Sequence, residues 1–229
     1  CGGTFKGIQN HLDYIIELGT NAIWISPVVL NTEKGFHGYW AKNLFEIEQH
    51  FGTKEELKAL VNACHKRGVW VMVDVVANHM DYPPGADCPR HGVRNYLIIF
   101  TTICLHLISV LIKVNQSHPF VRETLLHWIE YLITEYNFDG CRIDTVIQVP
   151  KPFWSEFQKA GNVFMIGEAN NGPPPCGSLN FTASFQGSLN SVLDFPLFWT
   201  MRYIFQEKTQ NFTALSEYLK KSGERYLDR

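Results

Sequence analysis

The sequence lacks the marks of several large classes of protein. Its net charge is only −2 over 229 residues, and it has no basic run of the kind that follows a phosphate backbone, so a nucleic-acid partner is not indicated. No C-x-x-C pair occurs among its six cysteines, which argues against zinc-ribbon and dithiol redox chemistry. No glycine-rich phosphate loop follows any predicted strand, which weighs against a nucleotide-binding open sheet.

The composition describes a chain able to bury a sizeable core. Hydrophobic residues make up 45% of it, which suits one large domain or two small ones. The six Trp, nine Tyr and sixteen Phe residues have two interpretations. Most would pack in the core, and a few would stack against sugar rings; composition does not separate the two.

The cysteines and the start of the chain bear on processing. Cys64 and Cys141 lie within apolar patterns and are predicted to be free core thiols. Cys1, Cys88 and Cys176 lie in loop-like sequence and are candidates for disulfides whose pairing is not assigned. The chain begins without an initiator Met or a signal peptide, which predicts a piece cut from a longer protein.

Three N-glycosylation sequons favour a secreted protein. They begin at Asn115, Asn180 and Asn211. A single sequon is close to chance, whereas three in one chain of this length lean towards an extracellular location.

Apolar, β-branched runs alternate with amphipathic helical patterns. We predict strands at residues 21–29, 69–76, 141–147 and 163–167, with a weaker strand at 192–195. The clearest helices begin with a capping box at Thr53 and Glu56, and at Pro119. This order predicts a parallel sheet covered by helices, either an open doubly wound sheet or part of an eight-stranded barrel.

Polar residues follow the predicted strands at their carboxyl ends, which favours the barrel. They are Asp74, Asn78 and His79, then Arg142 and Asp144, then Glu168. A barrel of this kind carries its chemistry at that face.

Residues 96–114 do not fit the pattern. They contain one Lys, one His and no acidic residue, and by length alone they could span a membrane. We prefer an aberrant stretch, such as a frame-shifted or mis-spliced translation, because the alternating pattern of soluble strands and helices continues on both sides. A buried or interfacial segment is a second interpretation, and a membrane helix is the third.

Two carboxylates stand out as candidates for catalysis. Arg142 and Asp144 are two residues apart on a strand, so their side chains point to the same face. They form either a structural ion pair or a pair in which Arg142 keeps Asp144 ionised, as a nucleophile requires. Glu168, in an apolar barrel mouth, is either a capping carboxylate or an acid whose raised pKa keeps it protonated. Two such groups suit glycoside cleavage, and retention needs them roughly 5–5.5 Å apart.

Several motifs, in order, resemble those of α-amylases of glycoside hydrolase family 13, most closely the secreted, calcium-binding fungal type. They are residues 2–8 (GGTFKGI), 22–28 (AIWISPV), 37–40 (HGYW), 74–79 (DVVANH), 139–146 (DGCRIDTV) and 166–168 (IGE). The resemblance covers nearly the whole chain except roughly residues 92–114.

The resemblance implies a retaining mechanism on a (β/α)8 barrel. Asp144 would be the nucleophile and Glu168 the general acid/base, with Arg142 orienting and ionising Asp144. The residues implied to line the sugar site are Asp74, His79, Tyr39 and Trp40, with Tyr39 as a stacking platform.

The resemblance also implies a calcium ion, with Asn78 and Gln148 among its ligands. Its acidic ligands would come from an inserted domain, where the apolar stretch now lies, so we expect an incomplete site. Ile147 and Gln148 stand where such enzymes usually have Lys-His, so a cationic sugar contact is lost. No Asn-His-Asp motif, the family's third catalytic carboxylate, occurs in the sequence.

The sequence therefore predicts a partial (β/α)8 barrel with a shortened or aberrant inserted loop domain. Residues 1–80 would be the first part of the barrel, 81–114 the remnant of the insertion and 115–229 the continuation. The parent enzyme would hydrolyse α-1,4-glucosidic bonds in starch-like glucans outside the cell, although this piece is expected to be inactive. The alternatives are a family 13 α-1,6-glucosidase or glucosyltransferase, and a non-catalytic membrane-anchored binding subunit.

Overall fold

Nine strands and eight α-helices occur in the computed structural model, which describes residues 2–33, 35–81 and 111–226. The strands are β1 (Ala22–Ile25), β2 (Val29–Asn31), β3 (Ala41–Ile47), β4 (Trp70–Val75), β5 (His79–Asp81), β6 (Leu111–Lys113), β7 (Gly140–Ile143), β8 (Phe164–Gly167) and β9 (Ser191–Val192). The helices are α1 (Phe5–Asn10), α2 (Leu12–Glu17), α3 (Lys54–Lys66), α4 (Pro119–Tyr136), α5 (Lys151–Gly161), α6 (Leu179–Ala183), α7 (Phe195–Phe205) and α8 (Phe212–Tyr226).

A five-stranded parallel sheet forms the centre of the fold, with the strand order β1-β4-β7-β8-β9. The spatial order follows the order along the chain without a reversal. A doubly wound open sheet reverses its order at a switch point, so the observed order is that of successive strands in a (β/α)8 barrel. The predicted partial barrel is confirmed.

The core lies between this sheet and the helices that follow its strands. Its largest fully buried side chains come mainly from α4 and α5, and they include Trp128, Tyr136, Phe153, Trp154 and Phe157. Burying one side chain of this size contributes roughly 1.5–3 kcal/mol, so the α4–α5 layer is a main source of stability.

The helix predictions hold where the signals were strongest. Thr53 and Glu56 form the predicted capping box at the start of α3. The helix predicted at Pro119 is α4, and the apolar residues at helical spacing along it are all buried, namely Val121, Leu125, Trp128, Ile129, Leu132 and Ile133. The helical spacing of Ile8, Leu12, Ile15 and Ile16 predicts one helix before β1, but the structure has two short ones, α1 and α2, which meet at His11.

The prediction of one strand over residues 21–29 was wrong. β1 ends at Ile25, and β2 begins at Val29 in a separate antiparallel pair with β3. Pro27 cannot donate a ladder hydrogen bond, and the Val28 carbonyl accepts one from the Glu48 amide instead, so the apolar run changes sheet.

Two other predicted strands also end early. The residues after β7 form a 3-10 helix, Val146–Gln148, and Phe195 begins α7 rather than ending a strand. Val146 of the 3-10 helix packs in the core, and the Asp194 side chain starts α7 by accepting the Leu197 amide proton.

The unusual apolar segment 96–114 lies mostly outside the described residues. Its last residues form β6, which pairs antiparallel with β5, and Val114 is buried with its amide donating to the Asn78 carbonyl. Within the described ranges, no helix combines the length and apolar character needed to cross a bilayer.

The cysteine predictions are confirmed for the two core thiols. Cys64 and Cys141 are fully buried and free, and Cys176 is an exposed free thiol. Cys1 and Cys88 lie outside the described residues.

The capping box at α3 generates a stability prediction. Thr53→Ala removes the side-chain oxygen that accepts the Glu56 amide, and we expect the free energy of unfolding to fall by about 1 kcal/mol in urea denaturation. Thr124→Ala, within α4, is the matched control and should change it by less than about 0.5 kcal/mol. Equal effects of the two substitutions would contradict a capping role.

Candidate active site

The register of the parallel sheet brings the candidate residues to one face. Asp74 in β4 lies directly beside Arg142 in β7, and Arg142 lies beside Ile166 in β8. Asp144 and Glu168 each follow two residues later on their strands. Because side chains alternate along a strand, all four acidic and basic groups point to the same side of the sheet.

Arg142 is the centre of this group. Its Nη1 donates to Asp74 Oδ1 at 3.0 Å and to Asp144 Oδ1 at 2.8 Å. Its Nη2 lies 2.9 Å from Glu168 Oε2. One guanidinium therefore holds three carboxylates, and Asp144 and Glu168 lie on the same side of the fold within reach of one cation.

Glu168 has the environment of a proton donor. Its side chain is half-buried, and burial is the largest influence on its pKa, which is raised. The Thr145 amide, which donates to Glu168 Oε2 at 3.1 Å, and Arg142 act in the opposite direction without cancelling the effect. This is the direction expected for an acid that keeps its proton.

Asp144 is more deeply buried than Glu168. It is almost fully buried, at 8% exposure, and its carboxylate pairs directly with Arg142. Both carboxyl groups of the site therefore contact the same guanidinium.

Asp74 is the most deeply placed carboxyl group, with 2% exposure. Burial raises its pKa, while Arg142 and hydrogen bonds from Tyr39 and Trp24 lower it, and the net pKa is raised. The Tyr39 hydroxyl donates to Asp74 Oδ2 at 2.8 Å. The indole of Trp24 also lies over the Arg142 guanidinium, and the distance from Arg142 Cζ to the ring centre is 5.4 Å.

His79 links Tyr39 to Asn78 through both ring nitrogens. Nε2 lies 3.1 Å from the Tyr39 carbonyl oxygen, and Nδ1 lies 3.1 Å from Asn78 Nδ2. A carbonyl only accepts, so Nε2 carries the proton and Nδ1 accepts from the Asn78 amide. Burial lowers the pKa of His79, which favours this neutral form.

The orientation of Asn78 tests the implied calcium site. With its nitrogen bound to His79, its buried Oδ1 has no hydrogen-bond partner among the residues that the structure describes. An unpartnered amide oxygen suits a hard cation. Gln148 is exposed at the end of the 3-10 helix Val146–Gln148. No cluster of three His, Cys, Asp or Glu side chains able to hold a metal occurs in residues 2–33, 35–81 and 111–226.

Close packing supports the loop after Asp144. Thr145 adopts a left-handed conformation (φ 49°), which turns its amide towards Glu168. Trp154 of α5 donates its indole proton to the Val146 carbonyl at 2.9 Å and is fully buried. At Gly167 a Cβ would lie 2.8 Å from a Val146 methyl carbon, so only glycine fits before Glu168.

The remaining candidate, Trp40, lies at the edge of the group. Its ring meets His37 edge-on at 4.8 Å between centres, and His37 stacks on Tyr39 at 5.8 Å. Sequence reasoning missed Trp24 and Thr145 as partners of the carboxylates. Trp24 carried a signal, since Trp24 lies level with Met72 and hence on the same face as Asp74, but its strand register was not known from sequence.

Known proteins similar to this chain include α-amylases. The family described as "Alpha amylase, catalytic domain" matches residues 2–84. An Alpha-amylase 2 of Schizosaccharomyces pombe is 34% identical over 94% of the chain and 41% of its own length. The chain belongs to the α-amylase family.

Solved α-amylase structures share the fold. An α-amylase from Malbranchea cinnamomea superposes with a TM-score of 0.86 at 29% identity, over 98% of this chain and 52% of its own. An α-amylase from Geobacillus thermoleovorans, complexed with acarbose, gives 0.76 at 30% identity, over 88% and 47%. The α-amylase-family chain described here thus spans about half the length of these proteins, and less than half that of its curated relatives.

The shared guanidinium generates a prediction that does not need activity. Arg142→Met leaves three carboxylates near a buried site without their cation, and we expect a loss of about 3–5 kcal/mol in the free energy of unfolding at pH 7. Since the pKa values of Asp74 and Glu168 are already raised, the protonated forms suit the fold. The loss should be smallest at acid pH and grow as the pH rises through those raised pKa values.

The control for this experiment is Arg202→Met, which removes a more exposed ion pair to Glu207. It should cost no more than about 1 kcal/mol and show little pH dependence. A loss in Arg142→Met that is independent of pH would contradict the proposed role of the guanidinium.

Proposed function

We propose that the protein hydrolyses α-1,4-glucosidic bonds in starch-like glucans with retention of configuration. The observation that carries the proposal is the bridge from Arg142 to Asp144 and Glu168 at the carboxyl ends of β7 and β8. It brings two carboxyl groups beside a common cation, and the pKa of one of them, Glu168, is raised by burial. The match to α-amylase relatives supports the same chemistry.

In the first step, the Asp144 carboxylate attacks the anomeric carbon and forms a glycosyl ester. The bond from that carbon to the glycosidic oxygen breaks, and Glu168 gives its proton to the departing oxygen. Arg142 holds Asp144 in place for the attack. Its Nη1 donates a hydrogen bond of 2.8 Å to Oδ1, and the other carboxylate oxygen would react.

In the second step, the now ionised Glu168 accepts a proton from water. The water oxygen bonds to the anomeric carbon, the bond to Asp144 breaks, and the carboxylate is restored. Two inversions at the same carbon give net retention.

The sugar at the cleavage point would lie against the face formed by Tyr39, Asp74 and His79, with Trp40 as a neighbouring contact. A stacking role for Tyr39 is supported by the hydrogen bond from its hydroxyl to Asp74, which restricts the orientation of the ring. Asp74 supplies a carboxyl group beside that ring, and the Nε2 proton of His79 is held by the Tyr39 carbonyl.

We also propose a calcium-dependent, secreted glycoprotein in which residues 81–114 belong to an insertion between two parts of the barrel. Asn78 would supply a calcium ligand through Oδ1, and Gln148 would offer its carbonyl; calcium would stabilise the loop beside the sugar site. The sequon asparagines support glycosylation because all three are exposed, namely Asn115, Asn180 and Asn211.

The nucleophile assignment predicts that Asp144→Asn abolishes starch hydrolysis in the full-length protein, because an amide cannot form the ester. Asp139→Asn is the matched control, since Asp139 lies at the opposite end of β7 and binds His65 and the Val71 amide. Reducing-sugar release should persist in the control at the temperature where it stays folded. Retained hydrolysis in Asp144→Asn would refute the assignment.

The acid/base assignment predicts a substrate-dependent loss in Glu168→Gln. Activity on starch should fall by about 10²–10⁴-fold, and less on aryl glycosides whose leaving groups need no proton. Because Glu168 acts in its protonated form, wild-type activity should decline as the pH rises through its raised pKa, and this decline should be absent in the variant. Glu156→Gln on α5 is the control, and equal losses on both substrates would exclude an acid role.

A further inference from the structure

The loop between β2 and β3 carries both aromatic residues of the candidate sugar site. A buried asparagine binds the backbone of this loop beside them. Asn31, the last residue of β2, is 6% exposed, and its side-chain oxygen and nitrogen bind the loop from below.

The two atoms of the Asn31 amide hold both peptide groups that flank Tyr39. Asn31 Oδ1 accepts the Trp40 amide proton at 2.7 Å, and Nδ2 donates to the Gly38 carbonyl at 3.3 Å. A second proton of Nδ2 goes to the Val29 carbonyl at 2.8 Å. The Asn31 side chain therefore binds the backbone on both sides of Tyr39, in addition to the hydrogen bonds that the Tyr39 amide and carbonyl make with His37 and His79.

Glu48 holds Asn31 in turn. Glu48 is 7% exposed. Its Oε2 accepts the backbone amide proton of Asn31 at 2.9 Å, while its Oε1 accepts from His50. Burial raises the pKa of Glu48, but the hydrogen bonds from Asn31 and His50 outweigh it and leave the pKa lowered. A charged acceptor makes this the strongest type of hydrogen bond to a backbone amide.

Two glycines of the loop pack so closely on Asn31 and on Pro27 that a side chain would not fit at either position. A Cβ at Gly35 would lie 2.8 Å from Asn31 Oδ1, and a Cβ at Gly38, which has φ +89°, would lie 2.9 Å from the Pro27 carbonyl oxygen. The loop thus packs directly on Asn31, and Tyr39 reaches Asp74 from a backbone that has little freedom to move.

We propose that Asn31, fixed by Glu48, is a positioning residue that sets Tyr39 and Trp40 for glucan binding. It touches neither Asp74 nor the sugar face itself and acts through the two peptide groups beside Tyr39. The inference deepens the proposed function and rests on it for its kinetic test, but its structural test stands without activity.

The structural test is amide hydrogen exchange in Asn31→Ala. Removing Oδ1 should cost the Trp40 amide most of its protection, at least about tenfold in exchange rate, while amides in α4 exchange as in the wild type. Wild-type protection at Trp40 would overturn the proposal whether or not the protein acts on starch.

The kinetic test is a double-mutant cycle in the full-length protein. Asn31→Ala and Tyr39→Phe should each lower kcat/KM for a malto-oligosaccharide by about tenfold, with KM affected more than kcat in Asn31→Ala, and the double variant should be little worse than either. Additive losses would show that Asn31 does not act through Tyr39. An inactive wild type would refute the proposed function and leave the exchange test to decide on Asn31.

Two further variants protect the test against a trivial folding defect. Asn31→Asp keeps the shape and the acceptor for Trp40 but removes both donated bonds, so it should keep Trp40 protection and still raise KM. Asn43→Ala, on the partner strand β3, removes only local bonds to Glu46 and Phe45 and should leave kcat/KM unchanged. A loss in Asn43→Ala equal to that in Asn31→Ala would reduce the effect to general loosening of the β2–β3 pair and overturn the proposal.

Discussion

One buried guanidinium serving three carboxylates is the constraint on which the rest of the site depends. If Asp74, Asp144 and Glu168 were all ionised around Arg142, the pocket would hold two uncompensated negative charges at low exposure, which is costly in a medium of low polarity. Burial accordingly raises the pKa of Asp74 and of Glu168. The different roles that we propose for Asp144 and Glu168 would follow from this shortage of positive charge, and the Trp24 indole lies over the one guanidinium that they share.

Much of this arrangement was predictable because it depends on alternation and on strand ends. Arg142 and Asp144 share a face by spacing alone, and Glu168 ends an apolar run that could only be a buried strand. The parallel order of the sheet then brings the strand ends together, as the alternating pattern of helices and strands implies. The α3 and α4 faces were equally predictable, since their caps and apolar spacing are local signals.

The parts that escaped prediction depend on partners distant in sequence. Pro27 marks a break in the apolar run, but the local sequence does not show that the run then joins a second sheet. That step depends on the Val28 carbonyl, which accepts the amide proton of the distant Glu48. The hydrogen bonds from the Asn31 side chain to the β2–β3 loop also could not be predicted from the sequence, since a lone asparagine at a strand end usually belongs to a turn. The neutral form of His79 and the direction of the Asn78 amide depend on the Tyr39 carbonyl, which is forty positions away from His79. Long-range hydrogen bonds of this kind leave no periodic trace in a sequence.

The four charged residues point to the same face of the sheet, and this limits how their strands can change in evolution. Asp74 and Arg142 stand level in adjacent strands, with Asp144 and Glu168 one repeat further on. A single inserted or deleted residue within β7 would turn Arg142 or Asp144 to the other face of the strand. The charged side chain would then lie among buried apolar residues such as Trp128 and Phe157. Length variation in descendants of this chain should therefore collect in the connections between strands, and the strands themselves should change only by substitution.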